Sequence, residues 1–227
     1  GHTSIGENAF RKNTPRLPVR TYQFADGLYV VWAAPELVEL LGARIDAIDG
    51  HSITALHTGL RRYSGGTDAH RQRMQAAMLE SPALLQAAGF ANARDSLTLS
   101  GVLASGASFE RRVEAQERDR SAWVSSSQRL LFPTWDRAPM QGLMRANELP
   151  IYLRHSSNLF SLEAAPERGV YIGLGHNGDA DESPIGAFLD GALARVRAEQ
   201  PAYVVVDMRM NSGGDYTTTY AFAQALP

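Results

Sequence analysis

A chain of 227 residues with 44% hydrophobic and 20% charged content has a globular composition, long enough for one large domain or two small ones. Its net charge of −2 supplies no bulk attraction to nucleic acid or to an anionic membrane, and no apolar stretch approaches the ~18 residues of a spanning helix. Cysteine is absent, which excludes disulfides, thiol nucleophiles and thiolate metal sites, and the single lysine, Lys12, restricts any mechanism that needs a lysine base.

The chain opens on Gly1 and closes just as a helix finishes, so it reads as a piece of a longer protein; Gly1-His2 is also what a cleaved tag leaves behind. Residues 1–16 read as the end of an N-terminal region. From 17 to 116 short elements alternate. Tyr29 to Trp32 reads as a strand, and Pro35 opens a short helix that Gly42 closes, in the usual Pro-start, Gly-stop order. Arg44 to Ile48 alternates as a half-buried strand, and Asp49-Gly50 marks a tight turn. Ile53, Leu56 and Leu60 have helical spacing, Ser64-Gly65-Gly66 breaks it, and Thr67 or Asp68 caps a helix running to about Leu79. Pro82 to Ala88 adds a turn or two, and Ser96–Leu103 with Ser108–Val113 reads as a hairpin.

From 117 to 150 no period is sustained, and Trp123, Phe132 and Trp135 stand among Ser, Arg and Pro as they would in a long connection held down by buried rings. Regularity returns over 151–227. Ile151–Leu153, Leu159–Leu162 and Val170–Leu174 read as strands. Ser183 and Pro184 start a helix whose Ile185, Phe188, Leu189, Ala192, Leu193 and Val196 form one apolar stripe, and an apolar strand at 203–206 follows. Strand, helix, strand in that compass predicts a parallel pair with a right-handed crossover. Functional loops are then expected at the C-terminal ends of those strands.

One such loop is Asn211-Ser212-Gly213-Gly214, followed by a helix over Tyr216–Leu226. A glycine pair between a buried strand and a helix lets backbone N–H groups face a ligand, because no side chain blocks the approach and the helix start adds positive potential. That geometry suits an oxyanion hole or a phosphate cradle.

Asp207-Met208-Arg209-Met210-Asn211-Ser212-Gly213-Gly214 resembles the Asp-x-Arg-x-Asn-x-Gly-Gly signature of the C-terminal processing (tail-specific) and tricorn-core serine peptidases. Leu41 to Ile53 resembles the inner hairpin of the PDZ-like module those enzymes carry upstream, with Gly42-Ala43 where Gly-Asp is usual, and Gly1-His2-Thr3 is similar to the Asp-Gly-His-Thr segment before it. The resemblance implies an α/β chain, α+β overall: a PDZ-like β/α module followed by part of a crotonase-like ββα catalytic core, cut before the nucleophile. It implies a polypeptide substrate, no cofactor, and an acyl-enzyme whose oxyanion rests on Gly213 or Gly214. Asp207, Arg209 and Asn211 would hold the turn, by paired charges and by an Asn that tolerates left-handed geometry. His2 would be the general base of the tricorn-like branch; Lys12 is misplaced for the lysine base of the other branch. A peptide C-terminus would dock at Gly27, Leu28 and Tyr29 by strand addition. Relatives of this kind are commonly exported, which points to the periplasm or the exterior. Members that bind small apolar ligands leave a non-catalytic binding protein open, and a free-standing peptide-binding module is a third reading.

Other signals give way to blander readings. Ser212 lacks the first glycine of a nucleophile elbow, since Met210 stands there. His176 to Glu182 gathers oxygen ligands without the spacing of a calcium loop and reads as a helix-capping loop. His51, His57, His70 and His155 form no metal-type pair, and Asn211–Gly214 lacks the Gly-Lys-Ser/Thr ending of a phosphate loop.

Overall fold

Alternation of apolar and polar residues builds the first half of the chain into one twisted sheet. A computed structural model describes residues 14–116, 140–143, 149–154, 158–179, 184–209, 211 and 213–226. The fold is mixed α and β, and the chain divides into two compact units, Gly1–Arg145 and Ala146–Pro227.

In the first unit β1 (Val19–Phe24) and β2 (Gly27–Ala33) form a hairpin, and a 3-10 turn (Pro35–Leu40) leads into β3 (Arg44–Ile48). The Pro-started segment closes as a 3-10 turn with a kink at Leu37, not as a regular helix. The Asp49-Gly50 turn has both residues at positive φ, 47° and 78°, as a two-residue hairpin turn requires, and delivers the chain into the short β4 (His51–Ser52). Ser52 caps α1 (Ile53–Leu60), and Thr67 caps α2 (Asp68–Leu79) by accepting the His70 N–H. Pro82 begins α3 (Pro82–Ala87), after which β5 (Ser96–Val102) and β6 (Ser108–Glu114) form the expected hairpin. Among the described residues the sheet runs β1-β2-β3-β5-β6, with β4 on β3 and β7 (Gln141–Gly142) on the end of β2. Its core is aliphatic: Leu28, Val30, Ile45, Ile48, Leu97 and Leu99 from the strands meet Leu56, Leu60, Leu79 and Leu85 from the helices, all nearly solvent-free.

One buried charge organises the edge of this sheet. Glu80, 1% exposed at the end of α2, pairs with Arg16 and accepts both the N–H and the hydroxyl of Thr21 on β1, at 2.7 and 3.0 Å. Its own carbonyl receives the Leu17 N–H. β1 escapes the sequence reading, yet Val19 and Thr21 are the inward positions of its alternation.

The second unit is a three-stranded sheet with its helices. α4 (Ile151–Arg154) stands where a strand is expected: Pro150 accepts the Leu153 N–H and turns the run into a single helical turn. A short apolar run does not distinguish a strand from a buried helical turn, and Pro150 decides it. β8 (Phe160–Ala165) and β9 (Gly169–Leu174) form an antiparallel hairpin. α5 (Ile185–Glu199) then packs Ile185, Leu189, Ala192, Leu193 and Val196 against Val170, Ile172 and Leu174. Gln200 ends it in the left-handed conformation, and β10 (Tyr203–Asp207) returns parallel to β9, with Val204 opposite Val170 and Asp207 opposite Gly173. A 3-10 turn (Tyr216–Thr219) and α6 (Tyr220–Ala225) close the described chain. Among the described residues no helix is long and apolar enough to cross a membrane.

Replacing Glu80 by Ala strands Arg16 and the Thr21 amide without their acceptor. Breaking a buried pair from one side costs about 3–5 kcal/mol. Urea unfolding is expected to show Glu80→Ala destabilised on that scale and Glu80→Gln, which keeps an acceptor for Thr21, destabilised less; equal stability of Glu80→Ala and wild type would remove the pin.

Candidate functional site

The parallel pairing of β9 and β10 does not stop at Asp207. An isolated parallel bridge joins Asn177 to Gly214 beyond both strand ends, with the Asn177 N–H donating to the Gly213 carbonyl at 2.8 Å. The loop leaving β9 and the turn leaving β10 are thereby held side by side. Parallel strands place their outgoing loops at one end, where α/β folds bind ligands.

Each described polar residue of the turn has a defined task. Asn211 uses its whole carboxamide: Nδ2 donates to the Leu174 carbonyl at 3.2 Å and to Asn177 Oδ1 at 2.8 Å, while Oδ1 accepts the Gly213 N–H at 2.8 Å. Asp207, 8% exposed, accepts the backbone N–H and the guanidinium of Arg209 and the hydroxyl of Tyr171, the last at 3.0 Å. The Arg209 guanidinium carbon stands over the Tyr152 ring, 3.8 Å from its centroid. The Arg209 guanidinium holds the Asp207 carboxyl below the usual carboxylate value against the opposing effect of burial, with the Arg209 N–H and Tyr171 hydroxyl adding to it. Burial first, and then the Asp207 carboxylate, pushes the Tyr171 phenol up. Asp215 caps the following 3-10 turn through the N–H and hydroxyl of Thr217, at 3.0 and 2.7 Å.

Two glycines were expected to present amides, and the structure separates them. Gly213 and Gly214 both have positive φ, 104° and 120°. The Gly213 N–H is spent on Asn211 within the protein, so Gly213 is corrected from candidate donor to part of the support. The Gly214 N–H donates to no described residue. A Cβ on Gly214 would stand 2.0 Å from the Asn177 carbonyl oxygen and 3.0 Å from His176 Cε1, so no side chain fits there. Gly213 faces open space.

Asn177, Tyr171 and His176 gather at this turn, and none was assigned to it from the sequence. The signal that finds them is the parallel pairing itself, which obliges the residues after Leu174 to neighbour those after Asp207. Asp179, in the same loop, accepts the Ile185 N–H at 2.9 Å and starts α5. Among the described residues no group of three or more acidic or histidine side chains could hold a metal ion. His2, His155 and Ser212 lie outside the described residues.

In the first unit, Gly27, Leu28 and Tyr29 lie inside the sheet. Leu28 and Tyr29 pair with Gln23 and Tyr22 of β1 on one side and with Ile45 and Arg44 of β3 on the other. Their backbone is taken, so the expected strand addition has no edge there, a correction that follows from β1, which the sequence reading missed. Gly27 and Leu28 do line a cleft of about 510 Å³ together with Arg44, Asp46, His57 and Arg61. His57 bridges three elements across it: Nδ1 meets Gln75 Oε1 at 2.6 Å and Nε2 meets Gln23 Oε1 at 3.2 Å. His51 packs edge-on against Phe90.

No family model and no curated protein matches this sequence. Solved structures do. The chain is similar to mature CPAF, a chlamydial serine protease related to tail-specific proteases, at TM-score 0.57 and 16% identity over 93% of this chain and 43% of that one. It is similar to mature CPAF complexed with lactacystin at TM-score 0.54 and 15% identity, over 93% of this chain and 44% of that one. A serine-to-alanine CPAF mutant matches at TM-score 0.54 and 16% identity with the same coverage. At such identities the likeness is one of fold alone, and the chain spans less than half the length of those proteins.

Asp207 makes the stability of the second unit depend on pH in a defined direction. Its folded value lies below the ordinary ~3.9 of an unfolded Asp, so the stabilisation is complete above that value and is lost as pH falls through the folded one. The stability gap between wild type and Asp207→Asn, measured by urea unfolding, is expected to hold from pH 7 to about pH 5 and to narrow below about pH 4. A gap that widens on acidification would contradict the ion pair.

Proposed function

We propose that the chain is part of a serine peptidase of the tail-specific or tricorn-core kind, hydrolysing peptide bonds through an acyl-enzyme. One observation supports this reading most: the Gly214 N–H, without a partner among the described residues, stands at the C-terminal end of a parallel pair where Asn211 and the Gly213 N–H are bound to each other. The protease-like fold and the signature at 207–214 support it. A turn built this way keeps one donor in place before charge develops, and one such donor is worth about 3 kcal/mol of transition-state stabilisation.

In this reading Asp207, Arg209 and Asn211 hold the turn and Gly214 receives the oxyanion. The nucleophile comes from sequence beyond residue 227, and His2 acts as general base. The substrate is a polypeptide, and the first unit carries the PDZ-like module. The module spans residues 17–116, and the cleft lined by Gly27 and Leu28 would take a peptide through side chains and not by strand pairing. The protein acts in the periplasm or outside the cell, and no cofactor is required.

The full-length protein is expected to cleave an unstructured polypeptide such as casein, and Gly214→Ala to lower kcat at least 100-fold with KM little changed. Failure of the wild type to cleave, with tight uptake of a small apolar ligand, would replace the peptidase by a binding protein on the same fold. Unaltered kcat in Gly214→Ala would remove this turn from the chemistry.

A further inference from the structure

Leu28 and Tyr29 are paired on both sides, so the amides expected to hold a chain terminus are occupied, and recognition in the adjoining cleft falls to side chains. Among the described residues, three arginines (Arg44, Arg61, Arg71) and three aspartates (Asp26, Asp46, Asp68) line that cleft of about 510 Å³. Their charges are not evenly matched. Arg44 sets Nε and Nη2 against the two oxygens of Asp46, at 2.9 and 3.5 Å, and Asp26 accepts the Tyr29 hydroxyl at 3.0 Å. Where α1 ends and α2 begins, two cations share one carboxylate oxygen: Asp68 Oδ1 receives Arg61 Nη2 at 3.0 Å and Arg71 Nη1 at 2.8 Å. Arg71 is oriented a second time, its Nε donating to the Ser64 carbonyl at 3.2 Å. The remaining N–H groups of both guanidiniums meet no described residue. The Asp68 side chain is 71% exposed, and an ion pair so open to water is weak, so this carboxylate leaves the two cations under-neutralised. His57 adds no donor for a ligand, since its ring nitrogens lie against Gln75 and Gln23.

Resting on the reading of this cleft as a peptide site, we propose that Arg61 and Arg71 select peptides by an acidic side chain, Asp or Glu, whose carboxylate takes the unfilled N–H groups of the two guanidiniums. A planar guanidinium fork meets a carboxylate in two parallel hydrogen bonds, and such charge-assisted bonds are stronger than neutral ones. Two forks held on one exposed carboxylate keep a positive charge in place for a second. The partner is therefore an acidic segment of polypeptide, and its selection asks nothing of the Gly214 turn.

The test is capture of random decapeptides with amidated C-termini on the immobilised full-length protein, counting intact peptides by mass spectrometry, beside a second pool with free C-termini. The captured fraction is expected to be about threefold richer in Asp and Glu than the pool, since a paired guanidinium site rewards a carboxylate. The double variant Arg61→Gln with Arg71→Gln is expected to lose that enrichment and Arg44→Gln to keep it, with thermal unfolding as a check on folding. Asp68→Asn removes the competing charge and is expected to bind a recovered acidic peptide about threefold more tightly, a gain that a damaged fold would not produce. Absence of acidic enrichment, enrichment unchanged in the double variant, or no tighter binding by Asp68→Asn would overturn the proposal. Preference for free over amidated C-termini would give the cleft to a chain terminus instead. If neither pool is captured, the peptide reading of the cleft fails and the proposal with it. Acidic capture by a protein that cleaves no casein removes the peptidase and leaves this proposal standing.

Discussion

The contact on which the rest of the second unit depends is the approach of the Asn177 carbonyl to the Cα of Gly214. Nothing larger than hydrogen fits on that carbon. Because the two backbones can close to this distance, the pairing of β9 and β10 continues one bridge past the strands, and the outgoing loops become a single layer. Asn211 can then reach both Leu174 and Asn177, which costs the turn one of its two glycine amides and leaves the other. The Asp207–Arg209 pair lies one step earlier and fixes how the chain leaves the sheet, with Tyr171 below it and Tyr152 against the guanidinium.

That arrangement separates the bound groups of the turn from the Gly214 N–H more sharply than the amino-acid types suggest. Arg209 is 60% exposed at its side chain and its partner only 5%, so the pair is anchored by the buried carboxylate and screened at the cation. Its worth lies in geometry more than in net stability. The same holds for Asn211, whose carboxamide ties the Leu174 carbonyl, the Asn177 side chain and the Gly213 N–H together.

Much of this is written in the chain. The stripe from Ile185 to Val196 and the apolar run at 203–206 define the parallel unit without ambiguity, because a period of 3.6 residues and a short β-branched run have few other solutions. The Asp49-Gly50 turn and the Thr67 cap are local chemistry and appear where their residue types demand. What escapes is what depends on distant partners. β1 is recognised as a strand only when Glu80, 59 residues away, is seen holding Thr21, and without β1 the residues 27–29 look like an edge. Ile151–Leu153 is apolar enough for either state, and Pro150 settles it through one hydrogen bond. His176 and Asn177 read as a polar loop before a helix, and only the register of two strands brings them to Gly214.

The ties around Glu80 also set where the first unit tolerates being cut. Arg16, Leu17 and Thr21 all bond to this one residue, which is nearly sealed from water. A shortened version beginning at β2 would leave an anion enclosed in hydrocarbon with neither cation nor amide to neutralise it. Excision for separate study therefore has to begin upstream of Arg16, even though the regular sheet starts only at Val19.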